Sequence, residues 1–177
     1  MMRNVAFALS LFVSGLSAFA QTFTAKVVGV HDGDTITVYD GREQTRIRLE
    51  GIDCPETGAD FSTRAKQLTS ELVFGKHVRI EGKETDRYGR LVARVIVDET
   101  DVSLELVEAG LAWHYKQYSD DPVLAAAEVV ARENKVGVWS LPNPIPPWAY
   151  RAGTVISSGR YEVMSDKGSA EVLSGPG

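Results

Sequence analysis

Between Phe23 and Ile52, three short runs of strand-forming residues are separated only by brief Asp-Gly turns, and a chain so punctuated is bound to form an antiparallel meander. Phe23 to Val30 is rich in β-branched residues, and Thr35 to Tyr39 forms a second such run. His31-Asp32-Gly33-Asp34 between them is turn chemistry, and Asp40-Gly41 is a hairpin signal. Thr45 to Ile52 then alternates, with Thr45, Ile47 and Leu49 on one face and Arg46, Arg48 and Glu50 on the other.

The meander continues into a mixed pattern. A helix is expected from about Ser62 to Phe74, with Ala65, Leu68 and Leu72 on one stripe and Gly75 just past its end. Val78 and Ile80 mark a fourth strand, Thr85 to Arg90 a polar turn, and Leu91 to Val97 an apolar fifth strand. Ser103 to Ala109 and Pro122 to Lys135 read as two further helices, the second opening on a proline suited to a first helical position. Mainly β with packed helices is therefore the expected class: a five-stranded Greek-key barrel of the oligonucleotide-binding type plus about three α-helices. Trp139 to Arg151 is too proline-rich to continue a helix and is expected to wrap back over the barrel, anchored by Trp139 and Trp148.

At its N-terminus the chain carries Arg3, an uncharged apolar run from Val5 to Leu16, and Ala18-Phe19-Ala20. This pattern reads as a secretory leader over residues 1–20, with an uncleaved anchor as the alternative. Residues 21–150 are then one domain, and the Gly- and Ser-rich stretch 151–177 a flexible tail. Export to the periplasm or the medium follows from the leader. A single cysteine, Cys54, allows no intramolecular disulfide; it is either a reactive thiol or a small residue whose side chain matters little. The formal charge of −5 argues against a tight nucleic-acid binder, since phosphate neutralisation supplies most of such affinity. Charge is nonetheless uneven, and Asp60 to Val95 is locally basic.

Four carboxylates stand where strands turn: Asp32 and Asp34, then Asp53 and Glu56 around Cys54-Pro55. Acids gathered so closely call for a cation, and oxygen donors imply a hard one such as calcium or magnesium. His31, His77 and His114 are scattered and lack cysteine partners, which disfavours zinc, and no histidine is placed as the base of a Ser-His-Asp enzyme. Arg48 on the polar face of its strand and Arg90 at the turn of Asp86-Arg87-Tyr88-Gly89-Arg90 are suited to grip phosphate. Cation, guanidinium groups and a carboxylate base are what in-line attack on a phosphodiester requires.

Asp32-Gly33-Asp34-Thr35, Ile47 to Thr57 and Thr85 to Arg90 together resemble the signature blocks of the staphylococcal nuclease family, as do Leu106 to Ala112 and Gly137-Val138-Trp139. The resemblance implies calcium held by Asp34, Asp53 and the backbone carbonyl of Cys54. It implies Glu56 as general base, and Arg48 and Arg90 as clamps on the scissile phosphate. Arg87, Tyr88 and Tyr115 would bind the nucleotide. Substrates would be DNA and RNA, single-stranded or locally melted, cut to leave 3′-phosphates by a monomeric enzyme. The presence of all the acids and arginines sets aside the alternative, a non-catalytic module binding nucleic acid or protein. Cys54 stands where the prototype has threonine, and the loop after Glu56 is shorter.

Overall fold

The computed structural model describes residues 21–157, 160–164 and 170–172, with side chains over 22–153, so the leader expected at 1–20 lies outside the described residues. In chain order, β1 (Gln21–Val30), β2 (Thr35–Tyr39), β3 (Gln44–Leu49) and the short β4 (Ile52–Asp53) precede helix α1 (Ser62–Val73). Strands β5 (His77–Thr85), β6 (Leu91–Val97) and β7 (Thr100–Asp101) lead into α2 (Val102–Glu108), β8 (Trp113–His114) and α3 (Pro122–Glu133). A 3-10 turn at Gly137–Ser140 and a fourth helix, α4 (Pro147–Arg151), follow.

Five strands close a barrel in the order β3-β2-β1-β5-β6, sealed by a parallel pairing of β3 with β6 in which Ile47 faces Leu91 and Leu49 faces Ala93. Both long strands carry register shifts, between Val27 and Gly29 in β1 and between Gly82 and Glu84 in β5. Such bulges add twist and let a long strand coil around a small barrel. Alternation does the rest. Ile36 and Val38 of β2, Ile47 and Leu49 of β3, Val78 and Ile80 of β5, and Ala93 and Val95 of β6 all face inward and are almost fully buried. Each Val, Leu or Ile among them contributes about 1.5–3 kcal/mol by leaving water.

Local chemistry starts the helices. The Asp101 carboxylate accepts hydrogen bonds from Ser103 N (2.9 Å) and Leu104 N (3.4 Å) to cap α2, and Asp121 accepts from Val123 N (2.7 Å) to cap α3. The stripe expected on α1 is shifted. Ala65, Thr69 and Val73 are the fully buried residues, while Leu68 and Leu72 pack half-buried beside them. Thr69 is tolerated inside because its hydroxyl donates to Gly33 O (2.6 Å) and Ala65 O (3.1 Å). The strand expected through Ile52 also breaks earlier, after Leu49. Gly51 adopts φ +77°, a left-handed turn that re-aims the chain into β4.

The proline-rich segment wraps back as expected. Trp139 meets Trp113 edge-on at 5.3 Å between ring centroids, and Trp148 stacks on Tyr115 at 5.4 Å and 6°. Its last turn is helical, because Pro147 occupies a first helical position and opens α4. Of the stretch expected to be a flexible tail, the described part past α4 holds three short antiparallel strands, β9 (Thr154–Ser157), β10 (Arg160–Met164) and β11 (Ala170–Val172). Among the described residues no helix is long and apolar enough to cross a membrane.

Candidate active site

Two loops at one end of the barrel are zipped together by their own backbones. In the β1–β2 turn, Asp34 N donates to the Asp32 carboxylate (3.1 Å) and His31 N to Thr35 O (2.9 Å). Leu49 N reaches Asp34 O (2.8 Å), and Cys54 N donates to Asp34 Oδ2 (2.8 Å). Gly33 is required by space here. A Cβ at that position would lie 2.7 Å from Cys54 Sγ and 2.8 Å from Ala65 Cβ. The turn thus rests directly on the Cys54 side chain, and α1 braces it from behind through Thr69.

Arg48 stands at the centre of this junction. Its Nη1 is 3.0 Å from Asp34 Oδ2, its Nη2 2.8 Å from Asp53 Oδ1, and Nη1 also donates to Leu49 O (3.2 Å). All three side chains are nearly enclosed, at 13%, 9% and 3% exposure for Arg48, Asp34 and Asp53. Burial pushes the Asp34 carboxyl above its ordinary range against the pull of Arg48, and Asp32 pushes it further. Burial likewise raises the Asp53 carboxyl, against Arg151 and Arg48. Arg48 is desolvated too, but Asp34 and Asp53 more than compensate and keep it charged. Asp34 has Arg48 as its cation, and Arg48 is shared with Asp53; with Asp32 and Glu56 in the same cleft, the carboxylates there outnumber the guanidinium groups of Arg48 and Arg151 that pair with them.

A divalent cation fits that deficit. The donors are hard carboxylate oxygens, and the Cys54 side chain is packed in the core against Gly33. The set is sparse: among the described residues no group of three or more His, Cys, Asp or Glu side chains is gathered to hold a metal ion. Water would complete such a shell. Burial drives the Cys54 thiol well above its ordinary range, with Asp34 adding to the effect, so it carries no thiolate nucleophile.

Across from the junction, the Asp86–Arg90 turn brings up a second guanidinium. Arg90 Nε donates to Asp86 Oδ2 (2.8 Å), and Nη1 lies 3.4 Å from Thr35 Oγ1, the residue beside Asp34. Arg87 lies over the exposed Tyr88 ring at 4.8 Å and donates to its hydroxyl (2.7 Å). Tyr115 follows β8, fixed by its N–H to Gly51 O (2.8 Å), with Tyr118 edge-on at 4.8 Å. Burial, and then the nearby Asp53, raise the Tyr115 phenol above its ordinary value.

One cleft of about 730 Å³ holds Asp34, Arg48, Asp53, Cys54, Glu56, Arg87, Tyr88, Arg90 and Tyr115, so the structure brings every sequence-expected site residue to the same place. Of the locally basic stretch, Lys83, Arg87 and Arg90 line this cleft, while Arg64, Lys66, Lys76, Arg79 and Arg94 do not. Sequence reasoning missed Arg151, which it assigned to the tail. Its Nη2 bonds Asp53 Oδ2 (2.8 Å), its Nη1 lies 3.3 Å from Asp53 Oδ1, and Nη1 also bonds the Glu56 carboxylate. A readable signal was present: Pro146-Pro147 marks a helix start, and Arg151 is four residues on.

Comparison with known proteins agrees with this geometry. The family model described as "Staphylococcal nuclease homologue" matches residues 46–141. An "Uncharacterized endonuclease" from Escherichia coli O157:H7 is 41% identical over 144 residues, covering 81% of this chain and 94% of the relative. A "Micrococcal nuclease" from Shigella flexneri is 38% identical over 161 residues, covering 85% and 91%. An "Uncharacterized endonuclease" from Haemophilus influenzae is 40% identical over 129 residues, 72% of each chain.

Proposed function

The chain belongs to the staphylococcal nuclease family and is a nuclease, a phosphodiester hydrolase, and from that premise we propose that it acts on DNA and RNA with calcium and leaves 3′-phosphates. Asp34, Asp53 and the Cys54 carbonyl would hold the ion. Calcium, when bound, supplies positive charge and Lewis acidity beside the phosphate. Arg48 and Arg90 grip the non-bridging oxygens and gain most as charge builds there in the transition state. Glu56 orients a water molecule and takes its proton as the water oxygen bonds to phosphorus. The bond from phosphorus to the 5′ oxygen breaks, and a proton passes to that oxygen from solvent. Arg87 holds a neighbouring phosphate, while Tyr88 and Tyr115 offer ring faces on which bases of single-stranded or melted substrate stack.

The observation that carries this reading is Arg48 bridging two buried acids at the head of a cleft that also holds Arg90 and Glu56. The apolar run at Val5 to Leu16 supports export to the periplasm or the medium as part of the same proposal. Purified protein incubated with single-stranded DNA, and separately with RNA, is expected to degrade both with calcium and neither with chelator. End-group analysis should find phosphate on the 3′ terminus. Polynucleotide bound but left intact by calcium-loaded, folded protein would sink the proposal in favour of a binding module.

A further inference from the structure

The proline-rich segment does more than cover the barrel. Pro142, Pro144, Pro146 and Pro147 restrict its backbone as it returns from the 3-10 turn, and α4 delivers three side chains to the cleft side. Trp148 stacks on Tyr115, itself a cleft residue. The Tyr150 hydroxyl sits 3.8 Å from the place a Cβ would take at Gly58, so the helix leans on the loop that follows Glu56. Arg151 then lies in the cleft against acids 98 and 95 residues away.

Both oxygens of Asp53 are engaged there. Arg48 takes Oδ1 at 2.8 Å, and Arg151 takes Oδ2 at 2.8 Å while approaching Oδ1 at 3.3 Å. Arg48 is enclosed and shared with Asp34, so it belongs to the junction itself. Arg151 differs: its side chain is 43% exposed, and it is the last residue of a helix five residues long. Its guanidinium can return to water, whereas the buried Asp53, only 3% exposed, cannot follow it and is left needing another cation.

We infer that Arg151 is a further residue of the active site, a charge held on the calcium ligand Asp53 in competition with the ion, so that the C-terminal segment sets how tightly calcium binds. This rests on Asp53 being a calcium ligand. A positive charge next to a divalent cation repels it, and an acid bridged by guanidinium must be released before it can serve the ion fully. Removing Arg151 should therefore tighten calcium binding. A merely structural Arg151 would do the reverse, because loosening Asp53 and Glu56 weakens the site.

The test is a calorimetric titration of calcium into the purified full chain and its variants, without substrate. Arg151→Ala and Arg151→Gln should each bind calcium about tenfold more tightly, a figure reduced by the solvent exposure of the guanidinium. Arg151→Lys keeps the charge but loses the fork that spans Asp53 and Glu56, so it should tighten calcium binding less than Arg151→Gln does. Arg151→Gln removes the charge but keeps a polar side chain with an N–H donor, which guards against a fold defect in the alanine variant. Unchanged or weaker binding in the folded glutamine variant overturns the inference. Asp53→Ala separates the two readings. If it leaves calcium binding intact, the ligand assignment fails; if it weakens binding while Arg151→Gln does not strengthen it, Arg151 alone is refuted.

Discussion

On one side of the cleft, Arg48 is shared between Asp34 and Asp53; on the other, Arg90 is paired with Asp86. Asp86 is complete within its own turn. It accepts from the backbone N–H groups of Tyr88 and Arg90, both at 2.9 Å, and from the Arg90 side chain four residues on. Partial burial pulls its carboxyl up, but these donors outweigh burial and hold it below the ordinary carboxylate range. Asp34 and Asp53 come from separate segments, are more deeply buried, and have carboxyls raised above that range. A local turn satisfies its own acid, whereas a junction of distant segments leaves acids wanting charge. That want is what makes the second place suitable for a cation.

The sharpest break of this comparison is Arg48→Ala. Turnover should fall by ~10² or more, as for other groups that hold transition-state charge. Because it leaves buried Asp34 without its ion pair and Asp53 with Arg151 alone, the variant should also lose about 3–5 kcal/mol of stability in chelator. Calcium should restore much of that loss in a thermal melt. Arg90→Ala should lower turnover by ~10² as well, yet melt close to the parent with or without calcium. If both arginine variants melt alike, the contrast between junction and turn is wrong.

Gly33→Ala comes next. The added methyl must displace the Cys54 side chain or lift the Asp34 turn, and overpacking of this kind costs about 1–3 kcal/mol. Calcium affinity should drop about tenfold, since 1.4 kcal/mol corresponds to a factor of ten. Binding unchanged from the parent would show that the turn does not need its seat on Cys54.

pH separates the two sides with opposite signs. The raised carboxyls of Asp34 and Asp53 stabilise the metal-free fold while protonated, and that contribution is lost as pH rises through their folded values. The lowered carboxyl of Asp86 acts oppositely: its contribution is present above the ordinary carboxylate range and is lost as pH falls below it. In chelator, Asp34→Asn should flatten the decline in melting temperature on the rising side. Asp86→Asn should flatten it on the acid side. Melts that respond identically to the two variants would erase the distinction. The smallest effect belongs to Cys54→Ser, which should keep activity within about twofold and cost about 1 kcal/mol for a buried hydroxyl. Loss of activity there would bring back a catalytic thiol.

What the sequence determined by itself is whatever depends on near neighbours. The Asp32 to Asp34 turn, the Asp86 to Arg90 turn, the inward alternation of Ile47 and Leu49, and the proline start of α3 all follow from interactions within a few residues, and all were legible. The site residues were located through the resemblance of their motifs, and their convergence in one cleft is a property of the closed barrel. Tertiary structure alone decided the rest. Thr69 replaces the expected leucines at the heart of α1 because a carbonyl from the β1–β2 turn is there to accept its hydrogen bond. Arg151 enters the site because a proline-stiffened segment carries it back over most of the domain. Helical periodicity and composition describe a residue's own neighbourhood; they hold no information about which distant carbonyl or carboxylate the finished fold will set beside it.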